Sequence, residues 1–73
     1  MDIHQIRYVI TDHNESKFYK MGAYYVEDIL QALYLNKEMA EYHLNRCLND
    51  FQKKIFTKVI EVYVVVSKSY NQE

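Results

Sequence analysis

The chain has 73 residues, with nine basic and ten acidic side chains and a formal net charge of −1. This length predicts one small domain, residues 1–73, which buries only about 60–65% of the surface that its unfolded chain exposes. A charge so close to zero excludes a general electrostatic attraction to nucleic acid or to an acidic membrane.

The first predicted element is a strand over residues 3–11. Apolar and polar residues alternate there, and a period of two is typical of a half-buried strand. The apolar row of this strand consists of Ile6, Tyr8 and Ile10. The polar segment that follows, residues 11–16, predicts a turn, because Asp and Asn readily adopt turn conformations.

Residues 17–26 are predicted to form the return strand of a β-hairpin. The segment is rich in Tyr and Phe, which are typical of strands. Gly22, the only glycine of the chain, lies inside it. An isolated glycine within a strand indicates a bulge or the close approach of another backbone.

Residues 27–35 are ambiguous between a helical turn and an irregular link. Asp28 is able to cap one helical turn, because its carboxylate can accept a hydrogen bond from a free amide of that turn. Ile29, Leu30, Leu33 and Leu35 are expected to be buried there, since all four are large and aliphatic.

A single helix is predicted over residues 37–54, with Asn36 as its N-cap. Apolar residues recur at steps of three and four, which places them in one stripe along the helix. The stripe consists of Ala40, Leu44, Cys47, Leu48, Phe51 and Ile55.

The last element, residues 57–67, predicts a long strand with apolar residues on both faces. One row is formed by the even positions Ile60, Val62, Val64 and Val66. The other row is formed by Val59, Tyr63 and Val65 and is interrupted by Glu61. Since one helix covers one face of a small sheet, we expect the even row beneath the helix. Val59, Tyr63 and Val65 are then predicted to contact a second copy of the chain, either through this face or edge to edge along the strand.

The element order is therefore β-β-α-β, an α+β domain with one helix packed on one face of a three-stranded, mainly antiparallel sheet. The strand order 2-1-3 is favoured, because it makes every pair of neighbouring strands antiparallel. The order 1-2-3 stays open and would make the third strand parallel to the second. Because the single cysteine, Cys47, cannot form an intramolecular disulfide, association is the expected source of extra stability.

The stretch from Tyr25 to Tyr42, followed by a helix and a Val-rich strand, resembles small uncharacterised proteins of phages and prophages in Gram-positive bacteria. Among these, the chain resembles the Yopt-like hypothetical protein family of Bacillus prophage. The resemblance rests on packing and capping residues, namely Ala32, Leu35, Glu38 and Ala40. It implies one helix, three strands and a homodimer, and it offers no functional residues to carry over.

Two groups of side chains suggest chemistry. His43 and Cys47 are four residues apart on the predicted helix, a spacing that lets an imidazole and a thiol meet as base and nucleophile or as two zinc ligands. Asp12, His13 and Glu15 share the predicted turn and carry groups that bind divalent ions. Packing of Cys47 and a solvated turn are the favoured interpretations. We therefore expect no enzyme, no catalytic residue, no metal and no cofactor.

The beginning of the chain lacks the basic and apolar segments of a signal peptide. Its apolar runs are also far shorter than the ~20 residues of a membrane helix. A lone thiol fits a reducing compartment. We expect a cytoplasmic protein with no membrane partner.

The favoured function is that of a non-enzymatic, homodimeric phage or prophage accessory protein that binds a host or phage protein. The alternative is a nucleic-acid-binding accessory protein. Lys17, Tyr19 and Tyr25 share the odd face of the predicted second strand, and aromatic rings with basic neighbours can stack single-stranded bases. Nucleic acid is the less favoured partner, because the net charge is near zero and an RNP-like signature is missing.

Overall fold

The computed structural model describes residues 2–67, and side chains from residue 4 to residue 65. Strand β1 (Asp2–Asp12) is followed by a 3-10 helix (Ile29–Ala32), helix α1 (Lys37–Arg46), a short helix α2 (Asp50–Lys53) and strand β2 (Phe56–Ser67). The α+β class is confirmed.

The first and last strands pair with each other. Strands β1 and β2 form a two-stranded antiparallel sheet. Ile10 lies opposite Val59, and Ile6 lies opposite Tyr63. This is the antiparallel contact that the 2-1-3 order requires between the first strand and the last. We refer to the paired strands as the ribbon.

The third strand is absent from the described residues, so the predicted return strand over 17–26 is wrong. Phe18 instead makes single bridges to Thr11 and to Val26. The segment folds back on itself, because the N–H groups of Phe18 and Val26 each donate to the other residue's carbonyl at 2.8 Å. Between this segment and β1, the described residues form only two backbone hydrogen bonds, at the carbonyl of Lys17 and the N–H of Tyr19, so the pairing does not extend into a third strand.

Gly22 makes this reversal possible. Its φ is +86°, and the N–H of Ala23 donates to the carbonyl of Lys20 at 3.1 Å. A glycine with this φ at the third position of a four-residue turn is typical of type II turns. A Cβ on Gly22 would meet no atom within 4 Å, so the glycine serves the backbone angle and not a close contact.

The predicted helix is also interrupted. It ends at Arg46, and α2 begins after Asn49. The Asn49 side chain accepts from the N–H of Gln52 at 2.8 Å, and the Gln52 side chain accepts from the N–H of Asn49 at 3.1 Å. This capping box starts a new helix inside the apolar stripe. The buried Gln52 amide also donates to the carbonyls of Ala23 and Tyr24, which ties α2 to the turn around Gly22.

The two predicted caps are confirmed. Asn36 accepts from the N–H of Met39 at 2.8 Å at the start of α1. Asp28 accepts from the N–H of Leu30 at 3.0 Å and caps the 3-10 helix. The burial expected for Leu30 and Leu35 is wrong, because this single turn directs only Ala32 fully into the core.

Both faces of one end of the ribbon are covered by the chain itself. A helix-side cluster packs Ile10 and Val59 against α1 and its flanks, with Tyr19, Ala40, Leu48 and Phe56 as further members. A loop-side cluster on the opposite face packs Val9, Ile60 and Val62 against Phe18 and the 3-10 helix. The helix therefore lies on the odd face of β2 and not on the even face. The side chain of Val66 lies outside the described ones.

Leu48 and Phe51 give a matched test of this packing. Leu48 is 6% exposed and Phe51 is 66% exposed. We expect Leu48→Ala to lower the free energy of unfolding by about 2–5 kcal/mol, through lost burial and the cavity left behind. Phe51→Ala removes one edge-to-face contact with Tyr24, and we expect a loss of about 1 kcal/mol or less. Urea unfolding measures both, and equal losses would mean that the stripe continues through Phe51.

Candidate functional site

The free end of the ribbon is the candidate site. We call residues 4–7 and 63–65 the ribbon tip, and none of them belongs to either cluster. Ile6, Tyr63 and Val65 are 44%, 68% and 52% exposed. Since Ile6 lies opposite Tyr63 and Val65 lies opposite His4, these side chains share one face. We call Ile6, Tyr63 and Val65 the tip patch.

The opposite face of the ribbon tip is more polar. The Arg7 guanidinium donates to the Gln5 side chain and to the carbonyl of Ile6, each at 2.8 Å. Gln5 and Arg7 stand opposite Val64 and Val62. A two-stranded ribbon without a covered face is only marginally stable in water. The apolar face with the tip patch is therefore the one that gains most from a partner.

The structure separates the three residues predicted for a dimer contact. Tyr63 and Val65 lie in the tip patch, while Val59 is half-buried in the helix-side cluster. Ile6 is the residue that sequence reasoning missed. The alternation of β1 already placed Ile6 on an apolar row, but only the strand register shows that it faces Tyr63.

The three residues predicted for nucleic-acid binding are also separated. Tyr19 is 4% exposed, and its ring packs edge-on against Phe56 with centroids 5.8 Å apart. Lys17 and Tyr25 remain together, since the Lys17 ammonium lies 5.6 Å from the centre of the Tyr25 ring. A stacking surface that needs Tyr19 is therefore not formed, because that ring is part of the core.

An aromatic cleft surrounds His43. The imidazole packs against the rings of Tyr19, Tyr34 and Tyr42, with centroids 6.2, 5.1 and 5.9 Å away. The adjoining cavity measures about 250 Å³ and is lined by phenols, the imidazole, a lysine, an amide and aliphatic side chains. Burial raises the pKa of Tyr34 to about 12. This mixed lining does not select one class of ligand.

The predicted His43–Cys47 pair shows no thiol–imidazole hydrogen bond among the described residues. Its members are linked through the backbone, where the N–H of Cys47 donates to the carbonyl of His43 at 2.9 Å. The Nδ1 atom of His43 is buried and has no hydrogen-bond partner within the described part of the chain. This geometry matches helix packing, and it assembles no nucleophile and base.

The carboxylate of Asp12 organises the turn after β1. Its oxygens accept from the N–H and the hydroxyl of Ser16 at 2.8 and 2.9 Å, and from the N–H of Lys17 at 3.1 Å. Burial raises the pKa of Asp12, but these hydrogen bonds outweigh it and lower the pKa from 3.8 to about 2. Glu15 forms an ion pair with Lys58 at 3.0 Å. Within residues 2–67, no three His, Cys, Asp or Glu side chains come together as a metal site.

Comparisons with protein-family models, with curated proteins and with solved structures found no match to this chain. The resemblance to Bacillus prophage proteins therefore stays a prediction. None of the helices in the described part of the chain is both long and apolar enough to span a membrane.

Asp12 makes the stability of the fold depend on pH. Its pKa is lower in the folded chain, so its contribution is complete above the unfolded pKa of 3.8 and disappears as the pH falls toward 2. We expect Asp12→Ala to lower the free energy of unfolding at pH 7 by about 1–3 kcal/mol, because amide donors lose their acceptor. The loss should shrink between pH 4 and pH 2. Urea unfolding at each pH measures it, and Glu15→Ala is the control, since its carboxylate is exposed. A loss that stayed constant down to pH 2 would contradict the assignment.

Proposed function

We propose that this chain is a non-enzymatic homodimer that binds another protein, and that the ribbon tip is where it associates. The observation that carries the proposal is the tip patch, where three large side chains stay exposed on a ribbon whose other end is covered on both faces. Contiguous exposed apolar patches are typical of protein interaction sites.

The chemistry of the ribbon tip favours a protein over a nucleic acid. Arg7 is its only residue with a permanent positive charge, and its guanidinium already donates to Gln5 and to a backbone carbonyl. Nucleic-acid binding draws most of its affinity from several lysines and arginines on phosphates. The tip patch offers an aromatic ring and aliphatic side chains, which are typical of the centre of a protein interface.

The proposal includes a cytoplasmic location and, following the resemblance, a role as a phage or prophage accessory protein. A single free thiol suits a reducing compartment. A small chain of this kind would act by occupying a host or phage protein. Nucleic-acid binding through Lys17 and Tyr25 is the alternative, and it would appear as a salt-dependent shift of single-stranded DNA in a gel.

We expect light scattering after size exclusion to give about twice the 8.9 kDa mass of one chain at micromolar concentration. Tyr63→Glu should give a folded monomer, because an unpaired charge placed at the contact is costly. Tyr42→Glu is the matched control, since Tyr42 is also exposed but lies on α1. It should remain a dimer. A wild-type monomer would sink the proposal, and so would a Tyr63→Glu chain that stays dimeric with an unchanged circular dichroism spectrum.

A further inference from the structure

We propose that the outer edge of β2 pairs with the same edge of a second copy, with the two-fold axis at Val62. The two ribbons then form one continuous four-stranded antiparallel sheet. This inference rests on the homodimer of the proposed function and gives its geometry. It follows from which backbone groups of the ribbon are free, and from the positions of charge along β2.

The bonds on the outside of β1 show which residues face outward. Tyr8 exchanges two backbone hydrogen bonds with Tyr34, at 3.0 and 2.8 Å, and the carbonyl of Ile10 accepts from the N–H of Tyr19 at 3.0 Å. The N–H and C=O groups of Tyr8 and Ile10 therefore point away from β2. In an antiparallel pair, the residues directly opposite such positions also point outward.

The residues of β2 opposite Tyr8 and Ile10 are Glu61 and Val59. Their N–H and C=O groups therefore lie on the outer edge of β2. Because the direction of the backbone groups alternates along a strand, the N–H and C=O groups of Tyr63 and Val65 also lie on the outer edge of β2. The described part of the chain gives these groups no backbone partner. An edge of this kind is a template for pairing with another strand.

The outer edge of β1 is less available. Tyr34, Tyr19 and Lys17 already occupy it at Tyr8, Ile10 and Asp12, which leaves only its first residues open. The β2 edge is open from residue 57 to residue 65. A second copy that pairs with β2 thus gains the longer ladder of hydrogen bonds, and it brings two tip patches onto one surface.

The position of Glu61 distinguishes the registers whose axis lies at residue 61, 62 or 63. An axis at Glu61 would place two carboxylates directly opposite each other, and like charges in that position are destabilising. An axis at Tyr63 would place Glu61 opposite Val65, where the carboxylate faces an aliphatic side chain.

An axis at Val62 places Glu61 opposite Tyr63 of the second copy. The phenol can then pack while its hydroxyl reaches the carboxylate, as the Tyr8 hydroxyl does at 3.5 Å within one chain. The same register places Val59 opposite Val65 of the second copy. The two β-branched side chains form a favourable cross-strand pair. The contact also extends the helix-side cluster, to which Val59 belongs.

Disulfide trapping tests this register. In a Cys47→Ser background, Val62→Cys places two thiols directly opposite each other. They occupy a non-hydrogen-bonded pair, with Cα atoms about 4.5 Å apart, which a disulfide can bridge. The matched control is Val64→Cys, which is also half-buried and on the same face of β2. In this register its two thiols would be offset by four residues along the strands, which separates them by about 13 Å. Under mild oxidation at micromolar concentration, we expect at least about tenfold more covalent dimer from Val62→Cys.

A second pair of variants uses exposed positions, so that folding is not at risk. An equimolar mixture of Glu61→Cys and Tyr63→Cys chains, in the same background, should cross-link more than either chain alone. Equal trapping by Val64→Cys, or preferential trapping of Glu61→Cys with itself, would overturn the register. A dimer by light scattering that neither test traps would overturn edge pairing and leave the homodimer intact. A Cys47→Ser chain that is monomeric and keeps its fold would overturn both the edge pairing and the homodimer.

Discussion

The antiparallel pairing of β1 with β2 is the constraint on which the rest of the structure depends. It joins the first and last strands of the described chain and fixes which residues share a face, as with Ile10 and Val59. The intervening segment can then cover the ribbon from both sides. Its first part supplies Phe18 and the 3-10 helix to one face, and α1 with Leu48 covers the other. Each cluster depends on the register, because a slip of one residue would exchange the two faces.

The lengths of the elements explain why the cover is incomplete. Strand β2 has 12 residues and extends over about 40 Å. Helix α1 has 10 residues and extends over about 15 Å. The molecule measures 50 × 21 × 21 Å, and its radius of gyration of 14.0 Å exceeds the ~11 Å of a compact chain of this length. One helix cannot cover such a ribbon, so the ribbon tip stays exposed. This mismatch in length supports the proposed self-association.

The sequence predicted those features that depend on local patterns. Alternation located β1, and the apolar run over 57–67 located β2. Asp28 and Asn36 were recognisable as caps because their side chains can accept from a free amide of the first helical turn. The break before α2 also had a local signal, the Asn49–Gln52 capping box, but the apolar stripe continued across it. The segment 17–26 could not be assigned from its Tyr content. Its path depends on the turn at Gly22 and on contacts with β1, which are not local.

The candidate site was predictable only in part. A period of two divides β2 into two rows, but it does not say which row the helix covers. Val59 was therefore grouped with Tyr63 and Val65, although only the latter two lie in the tip patch and Val59 belongs to the helix-side cluster. Ile6 joins the tip patch only through the strand register.

Hydrogen exchange tests directly whether the outer edge of β2 is paired with a second copy. We expect the amide protons of Glu61 and Val65 to be protected about as well as those of Val62 and Val64, which face β1. The first two should lose this protection in monomeric Tyr63→Glu. A wild-type dimer in which Glu61 and Val65 exchange as fast as in that monomer would contradict it.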